Sequence, residues 1–335
     1  MSSTRRVLAC MAPEEFGWFL EPAMGGWDAS IELVRCEAKP GIDHLIAKLN
    51  ETGAAVLLTA WSTPKLPADI RSRAPSLRYL CHACGTIRGI VPREAIVDGL
   101  LVSNWGSVIS RTVAEHTLVH ILCCLRRMTE QQLAMHVDRR WSIDVGEKER
   151  SLFERRVGMH GFGNVARELV KLLAPFGCSI SAFGPFDPDE AFTSRGVSRC
   201  TTVEDLYAGS EIIACVAPLT PETRGTVTER LLRLIPEGGA FVNTGRGAVV
   251  DEGGLAKVAK EGRLQFGLDV FEKEPLPKES PLRGLPNVSL TAHCAGPTPD
   301  RRQDCGRYAI VNIGAFFAGR KVESVIDATR YDLQT

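Results

Sequence analysis

The stretch VGMHGFGNVARELVKLLAPFG, Val157 to Gly177, decides the fold. It reads as a short strand, a tight turn and a helix. The turn is G-x-G-x-x-A: Gly161 permits the sharp bend, Gly163 lets backbone approach a pyrophosphate, and the small Ala166 lets helix and strand pack closely. In the helix, Val165, Leu169, Leu172, Leu173 and Phe176 recur at helical spacing and predict one apolar face. Arg167, Glu168 and Lys171 fall on the other side, and Gly177 is placed for the left-handed conformation that ends helices. Phosphate oxygens would meet the positive helix end at the backbone of Gly161, Phe162, Gly163, Asn164 and Val165. A β-rich run, SISAFGP, follows directly, as a βαβ unit requires. The turn alone leaves a dinucleotide site and a plain strand-to-helix turn both open. The fingerprint normally adds an acid about 20 residues on. Gly184 occupies that place, and Asp187 comes three residues later.

Working outward, residues 6–105 alternate strand-like runs (RVLACMA, AAVLLTA, LRYLCHAC, LLVSNW) with helix-like ones around Ile42–Leu49 and Ile70–Arg73. This is the rhythm of a small parallel α/β domain. Its strands run into loops holding Trp61, His82 to Gly85 and Trp105, and the carboxyl ends of strands are where open α/β sheets bind ligands. The segment Ser110 to His136 has few breakers and an apolar face, which predicts one long helix able to bridge domains or pack on a second subunit. Beyond the Gly-rich turn the alternation continues: EIIACVAP, AFVN, FGLDV and VSLTAH read as strands, with helices near Glu229–Leu234 and Asp251–Glu261. Each is a half-unit of a doubly wound sheet. The tail, with a helix expected from Asp300 to Phe317, is too short for a domain of its own and is expected to pack back on the first.

A chain of 335 residues holds two ordinary domains, and 44% hydrophobic with 24% charged residues suits a soluble globular enzyme. Basic and acidic residues both number 40, which removes the electrostatic reason to expect nucleic acid or an anionic membrane as partner. No run approaches the roughly 20 apolar residues of a membrane span. Eleven cysteines, an odd number, read in a chain of this length as reduced thiols and a cytoplasmic address.

The downstream loops carry Asn243-Thr244-Gly245-Arg246-Gly247, Asp269-Val270-Phe271-Glu272-Lys273-Glu274-Pro275 and Thr291-Ala292-His293. At these residues the chain resembles the D-isomer-specific 2-hydroxyacid dehydrogenases. The landmarks match in order: VAEH at 113–116, GFGNVA at 161–166, PLTPETRG at 218–225, NTGRGAVVDE at 243–252, LDVFEKEP at 268–275 and TAHCAGPT at 291–298. The resemblance implies an α/β protein of two doubly wound parallel-sheet domains with the active site in the cleft between them. A flavodoxin-like substrate domain would comprise residues 1–105 and 297–335, and a Rossmann-like NAD(P)-binding domain residues 106–296. It also implies an enzyme that moves a hydride between the cofactor and a small 2-keto or 2-hydroxy acid, with Arg246, Glu274 and His293 as the catalytic trio. Each role has a physical case. Arginine is a permanently charged fork that matches a carboxylate and its neighbouring carbonyl. Reducing a carbonyl builds charge on oxygen, so an acid must supply a proton, and histidine titrates nearest neutrality. A carboxylate beside that imidazole favours its charged form and fixes its tautomer.

By the same resemblance, Ala83-Cys84-Gly85 matches the loop whose amides receive the substrate carboxylate, with Ala83 replacing a glycine. Thr244 and Asp269 line the nicotinamide, and Ala217-Pro218 border the adenosine side. Cys81 and Cys84 form C-x-x-C, and His116 and His120 stand one helical turn apart. Both pairs are read as packing, with no metal expected. With the acid lost at Gly184 and Asp187 able to serve the ribose, NAD is the expected cofactor; Arg195 and Arg199 keep NADP as the alternative. Trp61 and Trp105 are expected at the substrate side chain. The long helix predicts a homodimer. Two other readings fit part of the pattern: a formate or phosphite dehydrogenase-like enzyme, and a non-enzymatic NAD-sensing corepressor-like protein.

Overall fold

The computed structural model describes residues 5–36, 40–141, 147–185 and 187–333. The chain divides into two compact units, one of residues 1–109 with 297–335 and the other of residues 110–296.

The first unit is built on a five-stranded parallel sheet of β1 (Arg6–Cys10), β2 (Glu32–Arg35), β3 (Val56–Thr59), β4 (Tyr79–His82) and β5 (Leu101–Ser103), in the order β2-β1-β3-β4-β5. This is the flavodoxin order. Successive side chains alternate between the faces. Leu8, Leu57, Leu80 and Val102 pack with Leu45, Leu49 and Ala95 on one side. Val7, Val56, Leu58 and Tyr79 pack with Phe19, Cys305, Ala309 and Ile313 on the other. Burial of both faces is why β1, β3 and β4 read as apolar runs, while the edge strand β2 is open to solvent. The helix Arg302–Phe317, from the end of the chain, supplies part of the second layer.

The second unit has seven parallel strands: β6 (Arg156–His160), β7 (Ser179–Phe183), β8 (Ser198–Arg199), β9 (Ile212–Cys215), β10 (Ala240–Asn243), β11 (Gln265–Leu268) and β12 (Val288–Leu290). They run in the order β12-β11-β10-β9-β6-β7-β8, so the order of winding reverses between β6 and β9 while every strand stays parallel. The Gly-rich turn leaves β6 at that reversal, where doubly wound sheets bind nucleotides.

Two helices differ from the sequence expectation. The apolar face of Asn164–Leu173 is Ala166, Leu169, Val170 and Leu173, while Leu172 turns outward, 36% exposed. The small Ala166 and the branched Val170 complete an i, i+3, i+4, i+7 set that packs on Ile121, Cys124 and Leu125. The long segment is also not one helix. It runs Ser110–Leu125, breaks at Arg127 (φ 46) and resumes at Met128–Gln132. The Leu125 carbonyl accepts the Arg150 N–H at 2.9 Å, which ends the helical ladder there.

Candidate active site

The loops that leave β10, β11 and β12 carry the chemistry of the second unit. After β10, the Asn243 side chain folds the turn on itself: its Oδ1 accepts the Gly245 N–H at 3.1 Å and its Nδ2 donates to the Arg246 carbonyl at 3.2 Å. Gly247 then lies so close to Phe271 that a Cβ there would stand 1.9 Å from the Phe271 carbonyl carbon. Only glycine permits this approach, and through it the Arg246 loop meets the loop that carries Glu274. Burial pulls the Arg246 guanidinium below its ordinary pKa, and the charge of Glu274 works in the opposite direction.

Glu274 and His293 meet at 2.6 Å, Oε2 to Nδ1. The other carboxylate oxygen accepts the Phe271 N–H at 3.0 Å, so both oxygens have assigned partners. An ionised carboxylate only accepts, so Nδ1 carries a hydrogen and Nε2 is the atom left to exchange a proton.

The backbone of His293 is left-handed, φ 50, a conformation a non-glycine residue keeps only when its surroundings hold it. Asp269 does the holding. Its carbonyl accepts the His293 N–H at 2.8 Å, its Oδ1 the Cys294 N–H at 2.9 Å and its Oδ2 the Ala295 N–H at 3.0 Å. Asp269 is fully buried. Burial by itself would raise its pKa, but hydrogen bonds from His116, Thr291 and the Cys294 and Ala295 amides outweigh it and hold the carboxyl well below the usual range. Thr291 donates to Asp269 at 2.6 Å, and its hydroxyl therefore accepts from His116 Nε2 at 3.0 Å and His120 Nε2 at 2.9 Å. Both imidazoles thus carry hydrogen on Nε2. Burial, then the neighbouring His116, lowers the His120 pKa to about 4.

His116, His120 and Asp269 also lie close enough to hold a metal ion, the third donor that sequence spacing does not reveal. Their donor atoms are already engaged around Thr291, and we read the group as the brace of the His293 turn. Asn243 and Thr291 are the functional residues that sequence reasoning missed. The one signal for either is its place, at a strand end or two residues before His293.

The Gly-rich turn fits a pyrophosphate. Gly161 (φ 96) stands against the Ala217 backbone, where a Cβ would come within 2.8 Å of Cα, while around Gly163, at the head of the helix, the space is open to 4 Å. The Phe162 side chain stacks on Phe192 at 4.3 Å in the core, so only its backbone faces a ligand. Asn164 and Val165 form the first helical turn. Ala217 and Pro218 follow β9, and Thr244 follows β10 with its hydroxyl 2.7 Å from that of Thr117. Gly184 follows β7, and Asp187 has swung back: its Oδ2 lies 3.1 Å from where a Gly184 Cβ would be, and its Oδ1 pairs with Arg167 at 2.5 Å. Phe186 lies outside the described residues. Arg199 pairs with Asp189, and Arg195 bonds the Ala191 carbonyl at 3.0 Å.

In the first unit, the Cys84–Gly85 turn follows β4. Trp105 N–H donates to the Cys84 carbonyl at 3.1 Å, and Asn104 Nδ2 to the Gly85 carbonyl at 2.6 Å. Trp61 follows β3 and is 48% exposed. No disulfide joins cysteines among the described residues, and burial raises the Cys81 thiol to about 11.

Comparisons with known proteins agree with this arrangement. The family described as "D-isomer specific 2-hydroxyacid dehydrogenase, NAD binding domain" matches residues 118–295. A glyoxylate reductase of Aeropyrum pernix is 30% identical over 294 residues, 86% of this chain and 87% of that protein. A D-mandelate dehydrogenase of Rhodotorula graminis superposes with a TM-score of 0.85 at 20% identity, covering 97% of this chain and 98% of that one. A D-isomer specific 2-hydroxyacid dehydrogenase of Xanthobacter autotrophicus, solved with NADPH and MES, superposes at 0.74 with 25% identity over 98% of this chain and 100% of that one. With a nucleotide turn at the sheet reversal and a family match that runs from the helix after Ser110 to the His293 turn, this chain belongs to the D-isomer specific 2-hydroxyacid dehydrogenase family.

Proposed function

We propose that this protein is a nicotinamide-dependent oxidoreductase that interconverts a small 2-keto acid and its D-2-hydroxy acid, with His293 as the acid and base. The observation that carries the assignment of roles is the 2.6 Å Glu274–His293 pair on a turn braced by Asp269. The bound cofactor supplies hydride transfer. The protein supplies the rest. In reduction, His293 Nε2 donates a proton to the oxygen on which charge builds, and Glu274 orients the ring through Nδ1. In oxidation the same nitrogen takes the hydroxyl proton. Arg246 binds the substrate carboxylate and carbonyl, and the backbone amides of Cys84 and Gly85 receive the carboxylate. Thr244 and Asp269 line the nicotinamide.

The proposed cofactor is NAD. Asp187 stands where the missing acid of Gly184 would project, and its charge opposes a 2′-phosphate. NADP remains the alternative, because Arg167 is already at that carboxylate.

The proposed assembly is a homodimer. The segment after Ser110 buries one face within its own unit and still exposes Val119, Met128, Met135, Val137 and Trp141. No helix among the described residues is long and apolar enough to cross a membrane. The proposed setting is cytoplasmic, on the odd count of eleven cysteines in a chain of this length.

Oxidation of NADH and NADPH against a panel of 2-keto acids tests this reading. His293→Ala should lower kcat by about 10³-fold or more while NADH still binds. A variant that retains turnover removes His293 from the proton transfer.

A further inference from the structure

The carboxyl end of the first sheet carries an aromatic wall. Trp61 meets Phe19 edge-on at 5.3 Å and Trp105 edge-on at 6.2 Å. Trp105 lies in turn against Gly85: a Cβ on Gly85 would stand 2.7 Å from its Cζ2. The wall thus begins at the turn proposed to receive the substrate carboxylate.

It is also held still. Glu15, 6% exposed, accepts the backbone N–H of Ser62 at 3.0 Å and that of Ala12 at 3.1 Å, and bonds the Ser62 hydroxyl. Ala60 N–H donates to Thr63 at 3.1 Å. A buried carboxylate and two hydroxyl side chains therefore tie down the residues on both sides of Trp61, yet its ring stays 48% exposed. Leaving a large apolar ring in water at a fixed position forgoes the stabilisation its burial would bring. The arrangement keeps an apolar surface ready for something else.

We propose that Trp61, backed by Phe19 and Trp105, is the specificity surface for the group on C2 of the substrate, and that this group is aromatic. This rests on the reading of the Cys84–Gly85 turn given above. Because the turn touches Trp105 and Trp105 touches Trp61, a 2-keto acid with its carboxylate on that turn would have its side chain beside this wall. A glyoxylate-sized acid has no side chain to cover the wall. A polyol or phosphorylated chain would cover it with groups that lose hydration there. An aryl group buries both its own face and the exposed indole, and edge-to-face pairing adds to the burial. Glu15 is the positioning residue.

The test compares kcat/KM for phenylpyruvate and phenylglyoxylate with that for glyoxylate and pyruvate. The wild type should prefer the aryl acids by at least about 10-fold, the step expected from filling an apolar pocket. Trp61→Ala should lower the aryl value by about 10- to 100-fold, mainly through KM, with glyoxylate changed by less than about 3-fold; Trp61→Phe should recover most of it. Glu15→Gln should raise KM for aryl acids and leave kcat unchanged. Preference for the small acids, or an equal loss on all four substrates in Trp61→Ala with an unchanged melting temperature, overturns the inference and leaves the hydride-transfer reading standing. No turnover of any keto acid by folded protein that binds NADH overturns both.

Discussion

The carboxyl ends of the two sheets solve the same problem with different physics. In the second unit, polar side chains fix one another: Asp269 clasps three backbone N–H groups, Thr291 links it to two histidines, and Glu274 fixes the tautomer of His293. In the first unit, backbone amides and packed rings take that place, with Glu15 as the buried anchor. The difference follows from the proposed tasks. Moving a proton requires charge at a defined atom, so the surroundings must favour one protonation state. Recognising a carboxylate and an apolar side chain requires shape, which amides and indoles provide without titrating.

Acid breaks both ends, and most strongly. Burial depresses the pKa of His82 in the first unit to about 3, and of His120 and His160 in the second to about 4. The unfolded chain binds protons at these sites below about pH 6.5 and the folded chain does not. Stability is therefore full above that pH and falls as the pH drops toward 4, by about 1.4 kcal/mol per pH unit for each histidine. Melting temperatures measured from pH 7 to pH 4 should fall steadily. His120→Gln, which keeps a donor near Thr291, should flatten the slope; an unchanged slope contradicts the assignment of His120 as a buried neutral group.

Asp269→Asn separates bracing from chemistry in the second unit. An amide offers one acceptor where the carboxylate offers two, so either the Cys294 or the Ala295 N–H loses its partner, at a cost of about 1–3 kcal/mol. The left-handed His293 should then relax and kcat should fall about 100-fold, with the substrate KM changed far less. An unchanged kcat would mean that Asp269 does not hold the His293 turn.

Gly85→Ala does the converse in the first unit. Its methyl would stand 2.7 Å from the Trp105 ring, so the ring must shift and the carboxylate turn with it. The expected result is a KM for keto acids raised about 10- to 30-fold at nearly constant kcat. A kcat loss with unchanged KM would mean that this turn does not bind substrate.

The smallest effect concerns the cofactor. Asp187→Ala removes the charge that opposes a 2′-phosphate and releases Arg167, so kcat/KM for NADPH relative to NADH should rise about 5- to 10-fold. No change in the ratio would mean that the selectivity is set elsewhere.

The parallel α/β class and the nucleotide turn were legible because both are local. Gly161 must adopt positive φ, and the central strands β3, β4, β9, β10 and β11 are buried along their whole length, so their runs are mainly apolar. The amphipathic phase of Asn164–Leu173 was less legible. Leu172 looks as apolar as Leu173, and only packing on Ile121 and Leu125 decides which of them turns inward. The break at Arg127 was hidden for the same reason, since the group that ends the helix, the Arg150 N–H, lies 25 residues downstream of Leu125.

By itself the sequence determined the kind of protein: the family, the doubly wound sheets, and the residue types able to hold a dinucleotide and exchange a proton. Tertiary structure alone decided which of them act together. Glu274 reaches His293 across a separation of 19 residues, and Thr291 binds His116 and His120, which precede it by 175 and 171 residues. Spacing along a chain constrains neighbours on one helix or strand. Groups on different loops of a sheet meet only where strand order and register bring those loops together.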